Sequence, residues 1–309
     1  MSGSKPSLES RPAGVDQCVI SEDIELSNLL EAIYRRYSYD FRAYSRDSVA
    51  RRVQYRLSMS QIASISELQY RILHDESLAD LLLKDLSVNV TEMFRDPDFF
   101  LALRTKVLHF MKEDHIRIWD AGCSSGEEAY SVAIILNELG IHPRQQILAT
   151  DFNSSILDKA KQGIFPLGRM SSYIKNYLAA GGEDEFSEYY NSAYDGAIIK
   201  RKLKDYVHFA YHNLATDAGF HDMDLVICRN VVIYFDRDLH ERVFGLFYES
   251  LRDGGYLCLG SEEGLIGSKY DDYFDVVDKK YRIYQKKAGK SSTVSGSANK
   301  LTSKRCSAP

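Results

Sequence analysis

The chain has no long apolar run. Nothing in it approaches the ~20 residues a membrane helix needs, so no direct membrane insertion is expected. The N-terminus lacks the charged-then-apolar pattern of a secretion signal, and a cytoplasmic location is expected. Charge of one sign is not in excess either. A net charge of −5 gives no bulk attraction for nucleic acid or anionic lipid, and no nucleic-acid partner is expected. None of the five cysteines (Cys18, Cys123, Cys228, Cys258 and Cys306) lies in a CxxC pair, and no His cluster has metal-ligand spacing. Structural zinc and a disulfide framework are therefore not expected, and no metal is assigned. Three of the thiols sit in apolar, strand-like contexts, where a free cysteine behaves as a small hydrophobe.

What is present is ordinary globular material. Hydrophobic residues make up 44% and charged residues 27% of 309 positions, enough to bury one large core or two smaller ones. Proline is missing from Asp16 through Asp96, which suits a helical module over 21–86. Ile24, Leu26, Leu29, Leu30, Ile33 and Tyr34 recur at roughly helical spacing; Val49, Val53 and Leu57 mark a second helix, and Leu68, Ile72 and Leu81–Leu83 suggest others. Residues 1–20 and 288–309 read as tails. The latter holds six Ser and four basic residues with no acid, a disordered composition.

After Asp96-Pro97, an N-cap followed by proline at the first helical position, strands alternate with amphipathic helices. Strands are expected at Ile116–Trp119, Gln146–Thr150, Tyr206–Tyr211, Leu225–Cys228, Gly255–Leu259 and Tyr281–Gln285. Helices are expected at Glu127–Leu139, from Ile156, and at Leu239–Leu251. This is the rhythm of a mostly parallel, doubly wound α/β sheet over 87–287, with ligands beyond the carboxyl ends of the strands. The stretch 163–205 is too long for a connection and reads as an inserted subdomain with a helical piece (Ser172–Leu178) and a strand (Ala197–Lys200).

The informative run is Ile116-Arg-Ile-Trp-Asp-Ala-Gly-Cys-Ser-Ser-Gly-Glu-Glu-Ala-Tyr-Ser131. A strand ends in a turn whose Gly122 and Gly126 let a ligand approach the backbone, and a helix follows. Glu127 and Glu128 stand where a pyrophosphate would lie, with no Lys to compensate. Like charges at ~4 Å in an effective dielectric of ~20 repel by roughly 4 kcal/mol, so NAD and ATP are disfavoured. S-adenosylmethionine has no phosphate and carries a sulfonium and an ammonium. Ser124-x-x-Glu127 and Ser125-x-x-Glu128 each also fit a capping box. Asp151 ends the next strand, where an acid accepts ribose hydroxyls; it also fits an N-cap for the helix that follows.

Four segments, Asn89-Val-Thr-Glu-Met-Phe-Arg95, Gly122-Cys-Ser-Ser-Gly-Glu-Glu-Ala-Tyr-Ser131, Ala149-Thr-Asp151 and Cys228-Arg-Asn-Val-Val-Ile-Tyr-Phe-Asp236, resemble the CheR family of chemotaxis receptor methyltransferases. The resemblance runs from about 22 to 286. It departs at Met93 and Ala129, neither of which changes a charged or hydrogen-bonding group. It implies a Rossmann-like methyltransferase domain with a small inserted β-subdomain, preceded by an all-helical domain. It also implies cofactor contacts at Asn89, Thr91, Arg95, Gly122, Glu128, Asp151, Asn213, Leu214, Arg229 and Asn230, with Tyr234 near the transferred methyl group. In some members the insert docks a receptor peptide at a strand edge.

A glutamate acceptor needs no strong base, because its carboxylate, of reference pKa ~4.3, is already ionised at neutral pH. The lack of a Ser-His-Asp or Cys-His constellation is then expected. Alignment alone can supply roughly 7–11 kcal/mol, and Arg95 and Tyr234 are the candidates for holding the carboxylate. Base amino-methyltransferases carry an Asn/Asp-Pro-Pro-Tyr/Phe tetrapeptide where this chain has Arg229-Asn-Val-Val. Between 31 and 60 there are seven Arg against three acids. On the second helix Arg51, Arg52 and Arg56 are the expected partner-binding residues, suited to the acidic helical cytoplasmic domain of a chemoreceptor-type protein. A methyltransferase for RNA or a small molecule, and a non-catalytic cofactor-binding signalling partner, stand as alternatives at this point.

Overall fold

The computed structural model describes residues 17–37, 39–87, 91–111, 116–141 and 147–289. Most of the two expected tails, and Asn89, lie outside the described residues.

Four helices open the chain: α1 (Gln17–Tyr37), α2 (Arg46–Ser60), α3 (Ile65–Ile72) and α4 (Glu76–Leu86). The first starts inside the stretch read as tail; no proline or glycine stands between Val15 and Tyr37 to stop it. Ser64 caps α3 by accepting from Glu67 N, and Asp75 caps α4 by accepting from Ser77 N and Leu78 N, satisfying amides that the helices leave unpaired. Leu26, Leu29, Leu30 and Ile33 of α1 pack with Val49, Val53 and Leu57 of α2 and with Leu68, Ile72, Leu82 and Leu86. Each such burial stabilises by roughly 1.5–3 kcal/mol. Ile24, Tyr34 and Leu81, counted with the apolar spacing, lie instead on exposed faces.

The second domain begins with α5 (Pro97–Lys106) and runs through β1 (Ile118–Ala121), α6 (Glu127–Glu138), β2 (Ile147–Asp151) and α7 (Ser154–Gln162). The insert follows as β3 (Ile164–Pro166), α8 (Met170–Ala179), β4 (Tyr190–Ala193), β5 (Gly196–Ile199) and the single turn α9 (Arg201–Lys204). The main sheet resumes with β6 (Val207–Tyr211), β7 (Met223–Cys228), α10 (Arg237–Ser250), β8 (Leu251–Leu259), β9 (Phe274–Asp278) and β10 (Ile283–Lys286). Its seven strands lie in the order β6-β2-β1-β7-β8-β10-β9. The first five are parallel, and β10 runs antiparallel to both neighbours. The insert forms its own antiparallel sheet, β3-β5-β4.

Three strands escape the sequence pattern: β3, which is only three residues long, β4 and β9. In β9 Phe274 is the one buried side chain, and β4 buries none fully, so neither shows the alternation that marks a half-buried strand. The central strands are legible for the opposite reason: all six residues of β7 and all four of β1 are buried, as a parallel sheet covered on both faces requires. The chain moves from β1 outward to β2 and β6, then returns to β7 on the other side of β1. That reversal opens a crevice at the carboxyl ends of β1 and β7, where a ligand is expected. The helical domain is zipped to its rim: Ser45 N donates to Tyr234 O at 2.7 Å, Asp236 N donates to Ala43 O at 3.0 Å, and Tyr44 pairs with Phe235.

Candidate functional site

The turn after β1 sets the floor of the crevice. Gly122 and Gly126 have φ of 89° and 92°, a left-handed region that glycine enters without penalty. A Cβ on Gly122 would sit 2.5 Å from Val231 Cγ2, so the turn and the loop after β7 interlock only with glycine there. Gly122 N and Cys123 N both donate to Thr150 O, at 2.8 and 2.9 Å, tying this turn to the end of β2.

Asp151 closes β2. Its carboxylate accepts from Ser124 N at 3.0 Å and from Asn153 N at 2.9 Å. Burial pushes its pKa up to about 6, against the lowering pull of backbone N–H bonds from Asn153, Ser124 and Phe152. Capping of α7 falls to Asn153, whose side chain accepts from Ser155 N and Ile156 N, so Asp151 is not the cap. Neither glutamate of the capping-box alternatives caps α6: its N-cap is Gly126, with no side-chain bond. Glu127 turns away from the crevice, accepting from Ser125 Oγ at 2.6 Å and from the Tyr173 hydroxyl of α8 at 3.4 Å. Glu128 faces the cavity and pairs with Arg229 at 2.7 Å.

Arg229 is the organising cation. Its side chain is 2% exposed, and Nη2 reaches Asp96 at 2.6 Å and donates to Arg95 O at 3.2 Å. Its guanidinium lies 4.0 Å from the centre of the Phe99 ring. The Asp96 carboxylate expected to cap α5 makes no cap bond; Asp96 has φ of 58° and gives its carboxylate to Arg229. Nearby, Asp120 is buried and neither carboxyl oxygen has a hydrogen-bond partner among the described residues. Its pKa is raised well above the usual carboxylate range, by burial first and then by Glu128 and Asp151.

The segment Thr91–Arg95 enters the wall braced by the insert. Arg169 donates to Thr91 O at 3.2 Å, Ser172 to Glu92 at 3.2 Å, and Asn176 to Met93 O at 3.1 Å. Met93 and Ala129, where the family motif is departed from, are both buried apolar positions. On the opposite wall Tyr234 is covered by Arg52, whose guanidinium stands 4.7 Å from the ring centre.

One cavity gathers Thr91, Arg95, Gly122, Glu128, Asp151, Asn213, Leu214, Arg229, Asn230 and Tyr234. These are all the expected cofactor and catalytic residues except Asn89, which lies outside the described residues. Sequence reasoning missed Tyr44, Leu86 and Ser87 from the helical domain and Phe152 after β2. They carry no motif and reach the cavity only because the domains close on each other.

The cavity fits a ligand that carries both signs of charge and no phosphate. Asp151 and Glu128 line it with the glycine turn, Arg95 and Arg229 stand beside them, and no lysine does among the described residues. The CheR methyltransferase SAM-binding domain matches residues 89–283, and the CheR all-alpha domain matches 24–87. The chain belongs to the CheR methyltransferase family. It is 49% identical to the putative methyltransferase Cher3 of Pseudomonas putida, over 85% of this chain and 97% of that protein. It is 31% identical to the chemotaxis protein methyltransferase of Borreliella burgdorferi, over 81% and 91%. Against chemotaxis protein methyltransferase 1 of Vibrio cholerae the values are 34%, 62% and 70%. S-adenosylmethionine is the cofactor, and the CheR fold accounts for the helical domain, the doubly wound sheet and the insert.

The expected partner-binding arginines divide. Arg51 is exposed and makes no ion pair among the described residues. Arg56 is spent on Asp85 at 2.6 Å. Arg52 donates to Asp85 O and Leu86 O at the end of α4 while covering Tyr234. Arg35, Arg36, Arg42 and Arg46 all have acidic partners. The basic face is therefore thinner than the sequence count suggests, but Arg51 joins Lys84 of α4 and Lys159 of α7 along a groove beside the cavity.

Among the described residues no helix is long and apolar enough to cross a membrane, and no group of acids, histidines and cysteines could hold a metal. Cys123, Cys228 and Cys258 are buried free thiols.

Proposed function

We propose that this CheR-family enzyme methylates glutamate side-chain carboxylates on the helical cytoplasmic domain of a chemoreceptor-type protein, forming methyl esters, with both proteins meeting in the cytoplasm. The observation that carries this reading is the continuity of the cofactor cavity with the basic groove at Ser87, which lines both. Arg51, Lys84 and Lys159 line the groove without ion pairs among the described residues, and its one acid, Asp85, is neutralised by Arg56. An acidic helix matches that charge, and complementary charge raises the rate of encounter.

When bound, S-adenosylmethionine supplies an electrophilic methyl group on a sulfonium. Asp151 accepts from ribose hydroxyls in this reading, and Glu128, already paired with Arg229, offers its remaining carboxylate lone pairs to the cationic end of the cofactor. Thr91, Arg95, Asn213, Leu214, Arg229 and Asn230 complete the enclosure, with Asn89 assigned to the same role. The acceptor carboxylate is already ionised, so the wall needs no base. His212 also lines the cavity, with Nε2 against Ala218 O at 2.9 Å, but an ionised acceptor gives it no proton to take. Arg95 holds a carboxylate through paired N–H bonds, and the Tyr234 hydroxyl donates to the nucleophile or lines the methyl path. Arg52 fixes the Tyr234 ring by a cation–π contact, worth about 0.5–2 kcal/mol.

Incubation with methyl-labelled cofactor and receptor-bearing membranes should yield label that mild base releases as methanol. Base-stable label would overturn the glutamate assignment, and salt-sensitive RNA binding would favour the RNA alternative. The groove has its own test. Joint Lys84→Glu and Lys159→Glu substitution should lower kcat/KM for the receptor about tenfold at low salt, less at high salt, and leave S-adenosylhomocysteine affinity unchanged. An unchanged kcat/KM would remove the groove from the account.

A further inference from the structure

The loop after β7 carries Arg229, Asn230 and Tyr234, yet it is tethered by a residue that does not line the cavity. Glu263 follows β8 and is 5% exposed. Four backbone N–H groups converge on its carboxylate. Gly260 N and Asn230 N donate to Oε2 at 2.6 and 3.0 Å, and Val231 N and Ile233 N donate to Oε1 at 2.9 and 3.3 Å. It has no ion pair among the described residues, so backbone dipoles alone balance a buried charge. Burial raises its pKa while those N–H bonds pull it back.

A clamp that merely joined β7 to β8 would be redundant. The two strands already pair through Cys228 and Leu259, and the Glu263 bonds begin where that pairing stops. Three of its four donors belong to Asn230–Ile233, the segment that leads into Tyr234. Asn230 has φ of 60°, a left-handed conformation that asparagine enters more readily than most residues with a side chain, and the Glu263 bonds to Asn230 N and Val231 N hold the backbone on either side of it. Val231, held by the same carboxylate, has its side chain against Gly122. Gly260 is required by the same arrangement, since a Cβ there would meet Glu263 Oε2 at 2.7 Å and Asn230 N at 2.9 Å.

We propose that Glu263 is a positioning residue for methyl transfer: its carboxylate gathers the Asn230–Ile233 amides and thereby fixes Asn230 and Tyr234 against the Gly122 turn. This rests on the reading that Tyr234 lies on the methyl path. Asp151, Glu128 and Asn213 sit on other elements and only Arg229 and Asn230 of the cofactor contacts share this loop, so loss of the tether should cost turnover more than cofactor affinity.

The test is Glu263→Gln, which keeps the shape but leaves one acceptor oxygen for four donors and turns an amide NH2 toward the rest. Turnover is measured per S-adenosylhomocysteine-binding site, so misfolded protein does not count. It should fall about 30-fold, within the roughly 100-fold that a misplacement on the order of 1 Å can cost, while the dissociation constant for S-adenosylhomocysteine changes less than about threefold. Amide exchange over Asn230–Ile233 should rise about tenfold or more with remote amides unmoved. Gly260→Ala should reproduce the split, and it carries the test if Glu263→Gln does not fold. Exchange at wild-type rates, or turnover and cofactor affinity falling in parallel, overturns the positioning role. Loss of the exchange effect counts against Glu263, whereas raised exchange with unaltered turnover counts against Tyr234 on the methyl path.

Discussion

Asp151→Ala should weaken S-adenosylhomocysteine binding about 100-fold at pH 7.5 while leaving the protein folded. A carboxylate that accepts from two ribose hydroxyls makes two charge-assisted hydrogen bonds, each about 1.5–3 kcal/mol, and a loss of roughly 3 kcal/mol is about two powers of ten in affinity. The fold should tolerate the change because the carboxylate is held at an energetic disadvantage. Its pKa stands at about 6, raised from 3.8 by burial, and each unit corresponds to about 1.4 kcal/mol. Between pH 4 and 6 the native state retains a proton that the unfolded chain has released, so stability falls with rising pH and is level above about 6. Removing the group removes this slope, and the lost acceptors for Ser124 N and Asn153 N offset the gain.

Cofactor binding has the opposite dependence. The ionised form is the better acceptor for two hydroxyls, so affinity should be level above pH 7 and fall as pH drops through about 6. Asp151→Asn should bind weakly with no such fall. Isothermal titration from pH 5 to 8 measures both effects. Wild-type affinity that is level down to pH 5 would mean that Asp151 does not meet the ribose.

The part of this site that was legible in the sequence is local. Gly122, Gly126, Glu128 and Asp151 stand within one strand–turn–helix and the strand beside it, where backbone conformation and charge speak for themselves. Long-range partners were not legible. That Glu128 pairs with Arg229, 101 positions away, and that Asp96 abandons its helix cap for the same guanidinium, depend on how β7 is threaded beside β1. The helical periodicity of α1 was read correctly, but it did not say which side of Ile24 and Tyr34 would face the core. Counting arginines between 31 and 60 overstated the docking face, because helix packing sets most of them beside Glu31, Asp23, Glu76 or Asp85. Glu263 gave no signal at all, since a carboxylate that binds only backbone amides leaves no side-chain pattern behind it.

Arg229→Ala should be the most destabilising single change at this site, at roughly 3–5 kcal/mol. The side chain is almost fully buried between Asp96 and Glu128. Its removal leaves Glu128 facing Asp120 and Asp151 without a counterion, releases Arg95 O and strips the face of Phe99. Losing one member of a buried pair is costly because the other charge stays behind. Removing both is not, since the desolvation cost goes with them. Arg229→Met combined with Glu128→Gln should therefore recover much of the stability that Arg229→Ala loses, although it should not restore activity. Arg229→Lys should recover less than half, because an ammonium cannot reach Asp96, Glu128 and Arg95 O at once. Thermal unfolding of the four proteins separates the terms: a Tm drop for Arg229→Ala of about 10 °C, largely reversed in the double variant, marks a buried charge cluster. A drop of only about 1 °C would mean that Asp96 and Glu128 are as well solvated without the arginine as with it, and that the cavity keeps its shape by packing alone.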